Sequence, residues 1–420
     1  MPAKSLQVLV DYARRNSPFY SALYRDVPEV ITDLPQLPVV DHEAFWAANT
    51  FPDNRVLTRP LSNGVVYKSG GTTGAPKFSP WDEQENRDAA IAFGAGLVRT
   101  WLRPGHRVAN LFVAGELYGG FLFTNDVLAN ASIETLRLPI GGTAPPEFLA
   151  HVFKEFDVNV TCGMASTLVR LADLLIERGE VADSVELLLF AGEPLFDDVR
   201  SILAQAFPKA TVGSLGYAAI DGGPLGAAVP GDDLRVHETL APYSIIEVLD
   251  ETTGEPITTP GVPGRLVATN LSRTLMPLIR YPVGDRAEWT EPARGRFRLL
   301  GRSDHSVKVG PDVLRPGEVR AVVAEADRDG LVTGMQLVAR RWDGKDGLVL
   351  RLAASKQPPD DLSRAVVDAV YAASPPHLRA VENEVIHPVT VEWVRPAELA
   401  SNPRTGKLIP VVDERFPQAG

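Results

Sequence analysis

Apolar positions in the first 25 residues repeat at helical spacing: Leu6, Leu9, Val10 and Ala13, then Tyr20, Leu23 and Tyr24 after a Ser17-Pro18 break. They predict a helix over residues 4–25 that is interrupted at the proline. From Val108 to Val113 the chain reads as a buried strand, and Glu116 to Leu128 as the helix after it. The pattern recurs, strand-like over Val158–Cys162 and Val185–Phe190, helical over Ala165–Arg178 and Phe196–Phe207. Short apolar strands alternating with helices predict a parallel sheet layered with helices.

The pattern changes after residue 232. Runs rich in β-branched residues, Tyr243–Leu249 and Arg265–Asn270, are separated by Gly/Pro turns and predict a smaller antiparallel β unit. Beyond Gly301 a compact α+β pattern follows: helices over Pro316–Ala326 and Asp360–Ala373, strands over Met335–Arg340, Leu348–Ala353 and Val389–Val394. The expected fold class is α/β, with a large N-terminal domain (1–301) of layered α/β sheets plus a small β unit, and a smaller C-terminal α+β domain (302–420).

At 420 residues the chain exceeds what one compact core supports. Its formal charge of −11 argues against nucleic acid or an anionic membrane as the main partner. Cys162 stands alone, which excludes an internal disulfide, a cysteine-rich zinc site and an iron–sulfur cluster; it reads as a small buried apolar residue. No apolar run reaches the roughly 18 residues of a membrane span, and the N-terminus lacks a signal-peptide core, so a cytoplasmic location is expected.

Ser69, Gly70, Gly71, Thr72, Thr73 and Gly74, with Lys77 just beyond, form the densest chemical signal. Small residues let backbone N–H groups approach an anion, hydroxyls add donors, and the lysine adds charge, which suits nucleotide phosphates. The segment is not a P-loop, because Ala75 occupies the second glycine position and Phe78 follows the lysine. A plain surface turn is the alternative. Further motifs follow in order: Ala191-Gly192-Glu193-Pro194 at a strand end, Gly216-Tyr217-Ala218-Ala219-Ile220-Asp221, Arg280-Tyr281-Pro282-Val283-Gly284-Asp285, Gly301-Arg302-Ser303-Asp304, and Asn402-Pro403-Arg404-Thr405-Gly406-Lys407. Strand ends are where open α/β sheets usually bind ligands.

In this order and spacing the motifs resemble those of the adenylate-forming superfamily: acyl-CoA ligases, peptide-synthetase adenylation domains and luciferases. The segments Tyr12–Tyr20 and Met276–Asp285 are similar to the phenylacetate–CoA ligase branch, including its adenylating members in phenazine-antibiotic pathways. The resemblance implies that an aryl carboxylic acid and ATP yield an acyl-adenylate and pyrophosphate, and that CoA then takes the acyl group. It implies that Ser69–Lys77 hold the β- and γ-phosphates and that Ala191, Gly192, Glu193 and Pro194 border the adenine. Gly216 and Tyr217 would offer the base a stacking surface, and Asp285 would accept from the ribose hydroxyls. Arg302 would contact ribose or phosphate, and Asp221 would hold Mg²⁺. Lys407 would be the adenylation lysine, with Lys77 and Arg302 assisting. Tyr118, Gly119, Ala218 and Ala219 would line the acid pocket, and Asp304 would be the hinge.

Plainer roles stand beside these. Glu193 could cap a helix starting near Pro194, Tyr217 could be core packing, and Asp285 could pair with Arg280 or Arg286. His237 and Glu238 read as structural. The acidic residue is Asp221 where the family usually has Glu, and alignment on the following Gly-Pro would put Ile220 there instead. His305 and Pro311 replace an acidic residue and a glycine of the pantetheine loop, with Gly310 beside them. CoA transfer is thereby less secure than adenylation, and the alternative is transfer to a carrier-protein thiol, a reductase or an amine. A γ-phosphate-cleaving enzyme and a non-catalytic nucleotide binder are further readings, and the oligomeric state stays open between monomer and homodimer.

If Asp304 is the hinge, Asp304→Pro fixes φ and locks one arrangement. The variant should then spare one half-reaction and impair the other, measured separately as pyrophosphate exchange and as acyl transfer from adenylate. Equal loss of both would remove Asp304 from the hinge.

Overall fold

The computed structural model describes residues 4–51, 53–68, 77–193, 195, 199–302, 306–310, 312–354, 356–359, 361–402 and 406–415. Three helices open it: α1 (Leu6–Asn16), α2 (Pro18–Leu23) and α3 (His42–Ala48). The expected interruption falls at Ser17. Its backbone N–H closes α1 on the Ala13 carbonyl, and its hydroxyl accepts from Tyr20 N–H at the start of α2. An antiparallel hairpin follows, β1 (Gly64–Lys68) and β2 (Phe78–Asp82), with Lys68 opposite Phe78. It therefore brings the two ends of the glycine-rich segment together.

The layered α/β part comprises α4 (Glu83–Thr100), β3 (Arg107–Leu111), α5 (Gly120–Ala129), β4 (Leu136–Pro139), α6 (Pro146–Glu155), β5 (Val160–Gly163), α7 (Ala165–Glu177), β6 (Leu187–Phe190), α8 (Arg200–Ala206) and β7 (Thr211–Ser214). The strands form one parallel sheet in the order β4-β3-β5-β6-β7. Strand alternation sorts the apolar residues between its faces. Ala109, Leu111, Leu188 and Phe190 pack with α6, α7 and α8, while Val108, Val160, Cys162 and Leu189 pack with α4 and α5. Cys162 is fully buried, and burial pushes its thiol up to about 12.

Helix α5 starts later than the sequence pattern suggests. Glu116 and Leu117 adopt left-handed φ angles of 46° and 63°, which end any helix there at a cost of roughly 1–2 kcal/mol per residue. The Leu117 carbonyl accepts from Lys68 N–H (2.8 Å), tying this turn to the end of β1.

The antiparallel unit is larger than expected. Strands β8 (Tyr217–Ala219), β9 (Gly223–Ala228), β10 (Val236–Thr239), β11 (Ser244–Leu249), β12 (Gly264–Asn270), β13 (Tyr281–Glu291) and β14 (Arg296–Arg302) form a seven-stranded sheet ordered β11-β12-β13-β14-β10-β9-β8. Helices α1 to α3 cover it, with Leu9, Val10, Tyr20 and Phe45 packed against Ile246, Leu266, Ala268, Tyr281 and Phe297. The C-terminal α+β unit has its own core. It contains hairpin β15 (Val307–Val309) and β16 (Asp312–Leu314), α9 (Pro316–Ala326), β17 (Val332–Trp342), β18 (Lys345–Ala354), α10 (Leu362–Ala373), α11 (Pro375–Glu382), β19 (Thr390–Val394) and β20 (Val411–Asp413). Among the described residues no helix is long and apolar enough to cross a membrane.

One buried side chain ties the hairpin to the antiparallel sheet. Arg273 is fully buried; it donates to Ser79 Oγ (2.9 Å), to the Pro80 carbonyl (2.7 Å) and to the Asp221 carbonyl, and it lies 4.0 Å from the Trp81 ring centroid. Burial lowers its guanidinium to about 10, so it remains charged at neutral pH. Arg273→Met would leave those acceptors unpaired. Truncating one partner of a buried charged network typically costs about 3–5 kcal/mol. Urea unfolding should show a loss of that size, and a loss below about 1 kcal/mol would mean that water satisfies the acceptors.

Candidate active site

Strands β3, β5, β6 and β7 lie side by side and parallel, so the residues after each come out at one sheet edge. Tyr118 follows β3, Ser166 follows β5, Ala191 to Glu193 follow β6, and Gly216 and Tyr217 follow β7. Three of these four strand ends carry residues singled out by sequence. Ser166 was missed, although its position after a buried strand is the same signal.

The C-terminal loop reaches this edge. Lys407 Nζ lies 5.6 Å from the centroid of the Tyr118 ring. It also borders Gly192, whose φ is +84°: a Cβ built there would sit 3.4 Å from Lys407 Cε, 3.5 Å from Nζ and 3.8 Å from the Tyr118 hydroxyl. These are ordinary contact distances, so glycine at 192 serves the left-handed turn, and the distances place the lysine beside it. Glu193 caps a helix, but a different one from that expected. Its Oε1 accepts from Ser166 N–H (2.5 Å) at the start of α7, whose own N-cap residue Met164 provides no side-chain bond. Its Oε2 accepts from Leu408 N–H (3.2 Å), next to the lysine.

A second group sits where β8 meets β13. The Tyr217 hydroxyl donates to Asp285 Oδ2 (2.5 Å), and Asp285 stands opposite Arg302 in the β13–β14 ladder. Arg280 pairs with Glu247 (2.9 Å) and Arg286 with Glu251 (2.6 Å), so neither is the ion-pair partner considered for Asp285. His237 supports Tyr217 from behind, with ring centroids 6.0 Å apart. Its Nδ1–H donates to the Arg235 carbonyl (2.9 Å), so Nε2 accepts from the Ser214 hydroxyl (2.9 Å), and that oxygen accepts from Gly216 N–H (3.1 Å). Ala218 is exposed and Ala219 half-buried on β8, while Gly119 packs against the Tyr67 ring.

Lys77 leads back to α3. Its Nζ donates to His42 Nε2 (3.1 Å) and lies 5.7 Å from the Trp46 ring centroid. Trp46 Nε1 donates to the Tyr281 hydroxyl (2.8 Å), which donates to Asp221 Oδ2 (2.7 Å). Asp221 is buried, and its Oδ1 accepts from Gly222 N–H (3.1 Å). Each Asp221 oxygen accepts one hydrogen bond and keeps a further lone pair, so these bonds leave the carboxylate able to take a cation. Among the described residues no cluster of three or more His, Cys, Asp or Glu side chains converges as a metal site. His42 and Trp46 had no motif to reveal them, and Tyr281 lay inside the Arg280–Asp285 motif without a role of its own.

Ser69 to Pro76, Pro194, Asp304 and Pro311 lie outside the described residues, as does the Arg302 side chain. Gly310 adopts φ +59°, and a Cβ there would meet Ile386 at 2.5 Å, so the glycine beside Pro311 is fixed by its own packing.

No family model matches the chain. Phenylacetate-coenzyme A ligase of Thermus thermophilus is 26% identical over 447 residues, covering 98% of this chain and 95% of that protein. Among solved structures, 2-hydroxyisobutyryl-CoA ligase in its postadenylation state with R3-HIB-AMP superposes at a TM-score of 0.73 and 23% identity, covering 98% of this chain and 88% of that one. The chain is thus similar to a phenylacetate–CoA ligase over nearly its whole length and has the fold of an adenylate-forming CoA ligase. The 2-hydroxyisobutyryl-CoA ligase with 2-HIB-AMP and CoA in its thioesterification state superposes at a TM-score of 0.60 and 22% identity, covering 98% of this chain and 88% of that one. Indoleacetate–lysine synthetase of Pseudomonas savastanoi is 26% identical over 259 residues, 60% of this chain and 59% of its own length.

Burial lowers the His237 imidazole to about 4, so the native ring stays neutral where the unfolded one is protonated. Between the unfolded value near 6.5 and about 4, the unfolded state binds the extra proton, and stability falls with pH by about 1.4 kcal/mol per unit. The His237 contribution is complete above about 6.5. In urea titrations, the stability difference between the unmodified chain and His237→Gln should shrink by roughly 1.4 kcal/mol from about pH 6 to about pH 5. A gap independent of pH would assign the titration to other groups.

Proposed function

We propose that the chain activates an aryl or arylalkyl carboxylic acid with ATP and passes the acyl group from the adenylate to CoA. The observation that carries this reading is the delivery of Lys407 to the strand-end edge, beside Gly192 and Tyr118. A carboxylate oxygen attacks the α-phosphorus, the bond to the β-phosphate breaks, and pyrophosphate leaves. Lys407 neutralises charge that builds between carboxylate and α-phosphate, so its contact is strongest in the transition state. Tyr217 presents its ring to the adenine, and Asp285, an acceptor-only group when ionised, takes the ribose hydroxyls with Arg302 alongside. Ala191, Gly192, Glu193 and Pro194 border the base, Gly216 opens the turn before Tyr217, and Ser69 to Lys77 hold the outer phosphates. Tyr118, Gly119, Ala218 and Ala219 shape a flat slot for the ring. Asp221 would hold Mg²⁺, a hard cation suited to oxygen ligands that would offset charge on the phosphates.

After adenylation the C-terminal unit, bounded at 301/302 and hinged at Asp304, turns to admit the acceptor. Its separate core is compatible with such a movement. The substrates ATP and CoA suit a cytoplasmic enzyme. A second reading, transfer to an amine, draws on the similarity to indoleacetate–lysine synthetase. With acid and ATP supplied, a thioester formed on adding CoA favours the first reading. An amide formed on adding an amine, with no CoA turnover, favours the second.

Labelled pyrophosphate should exchange into ATP with aromatic acids and far less with long-chain fatty acids. Lys407→Ala should lower kcat for exchange by about 10²–10³, with ATP binding nearly intact. Unchanged exchange in that variant would sink the mechanism.

A further inference from the structure

Backbone bonds join the described residues on either side of 403–405, next to Lys407. Asn402 N–H donates to the Lys407 carbonyl (2.8 Å), Gly406 N–H donates to the Asn402 carbonyl (2.8 Å), and Ser401 bridges Leu408. Two side chains of the N-terminal part hold this segment on either side of the lysine. The Ser166 hydroxyl donates to the Gly406 carbonyl (3.4 Å), and Glu193 Oε2 accepts from Leu408 N–H. The other Glu193 oxygen accepts from Ser166 N–H, so the two holding residues are themselves joined. A carboxylate accepting two backbone N–H groups makes charge-assisted bonds, and its place at the start of α7 adds the favourable helix-end field.

We propose that Glu193 and Ser166 are positioning residues that clamp the backbone on both sides of Lys407, setting how often the lysine is seated for adenylation. The proposal rests on Lys407 acting in adenylation, and it gives Glu193 a task apart from bordering the adenine. The clamp touches only main-chain atoms of the loop, so it acts on the seated population and not on the lysine's charge. When the competent state becomes a smaller fraction of the molecules, turnover falls in proportion.

Glu193→Gln keeps the shape but exchanges one acceptor for a donor, so it cannot accept from both Ser166 and Leu408. Its kcat for pyrophosphate exchange should fall about 10- to 100-fold, the effect of losing one hydrogen bond to a charged group. The KM for ATP should stay within about threefold, because seating and nucleotide binding are separate contributions. Ser166→Ala should fall by a smaller factor, and Ser166→Thr, which keeps the hydroxyl, should recover most of it. Acyl transfer from supplied adenylate should be spared in both Ser166 variants.

Seating is also readable without turnover. Cys162 is fully buried, so cysteines placed at exposed Val181 and Val385 can be spin-labelled selectively. Distance measurements between the labels should give one dominant separation in the unmodified chain and a broader or displaced one in Glu193→Gln. An unchanged distance distribution overturns the clamp. So does a kcat loss matched by an equal rise in ATP KM, which would place Glu193 on the nucleotide. The two ideas fail separately. If the unmodified chain exchanges no pyrophosphate with any acid, the activity reading falls, and the distance shift alone judges the clamp.

Discussion

Parallel pairing of β3, β5, β6 and β7 is the constraint on which the rest depends. A parallel strand must return through a crossover, so each strand ends at the same edge and hands its next residues to the same crevice. Tyr118, Ser166, Gly192 and Tyr217 are far apart in the chain and neighbours in space for this one reason. The helices between them bury the sheet's two faces, and that burial leaves the edge as the place where backbone polar groups and ligands can meet. Arg273 extends the same frame sideways, joining β2 to the turn at Asp221 so that the hairpin ends hold their place beside the crevice.

Helix and strand positions were legible where apolar periodicity was strong. Helix α9 matches its expected span residue for residue, and β11 and β12 differ by one position at an end. Legibility failed where side chains were small. Strands β8 and β9 contain Ala218, Ala219, Gly223 and Gly226, which carry no alternation although most of the segment is buried. It also failed at Glu116 and Leu117, because a left-handed turn in ordinary residues has no composition signal and is imposed by packing.

For the site, the sequence pointed to groups and the fold supplied the partners. Tyr217 and Asp285 were picked separately for base and ribose, and the structure joins them by a hydrogen bond. Glu193 and Lys407 were picked from different ends of the chain, and they meet through Leu408. His42 and Trp46 could not be read at all, since contacts to Lys77 and Tyr281 across such separations leave no local spacing. Asp221 was picked alone from its motif, and the fold adds the Tyr281 hydroxyl and the Gly222 N–H that orient its carboxylate.

The lysine loop is held through the Gly406 carbonyl and the Leu408 N–H, groups that every non-proline residue provides. Recognition of this kind is blind to side-chain identity. The loop need only keep its turn, for which Gly406 supplies a left-handed φ of +68°, and the lysine itself. Its flanks are then free to drift in letter and in length without loosening the grip. Shape outlasts spelling at this point of the chain.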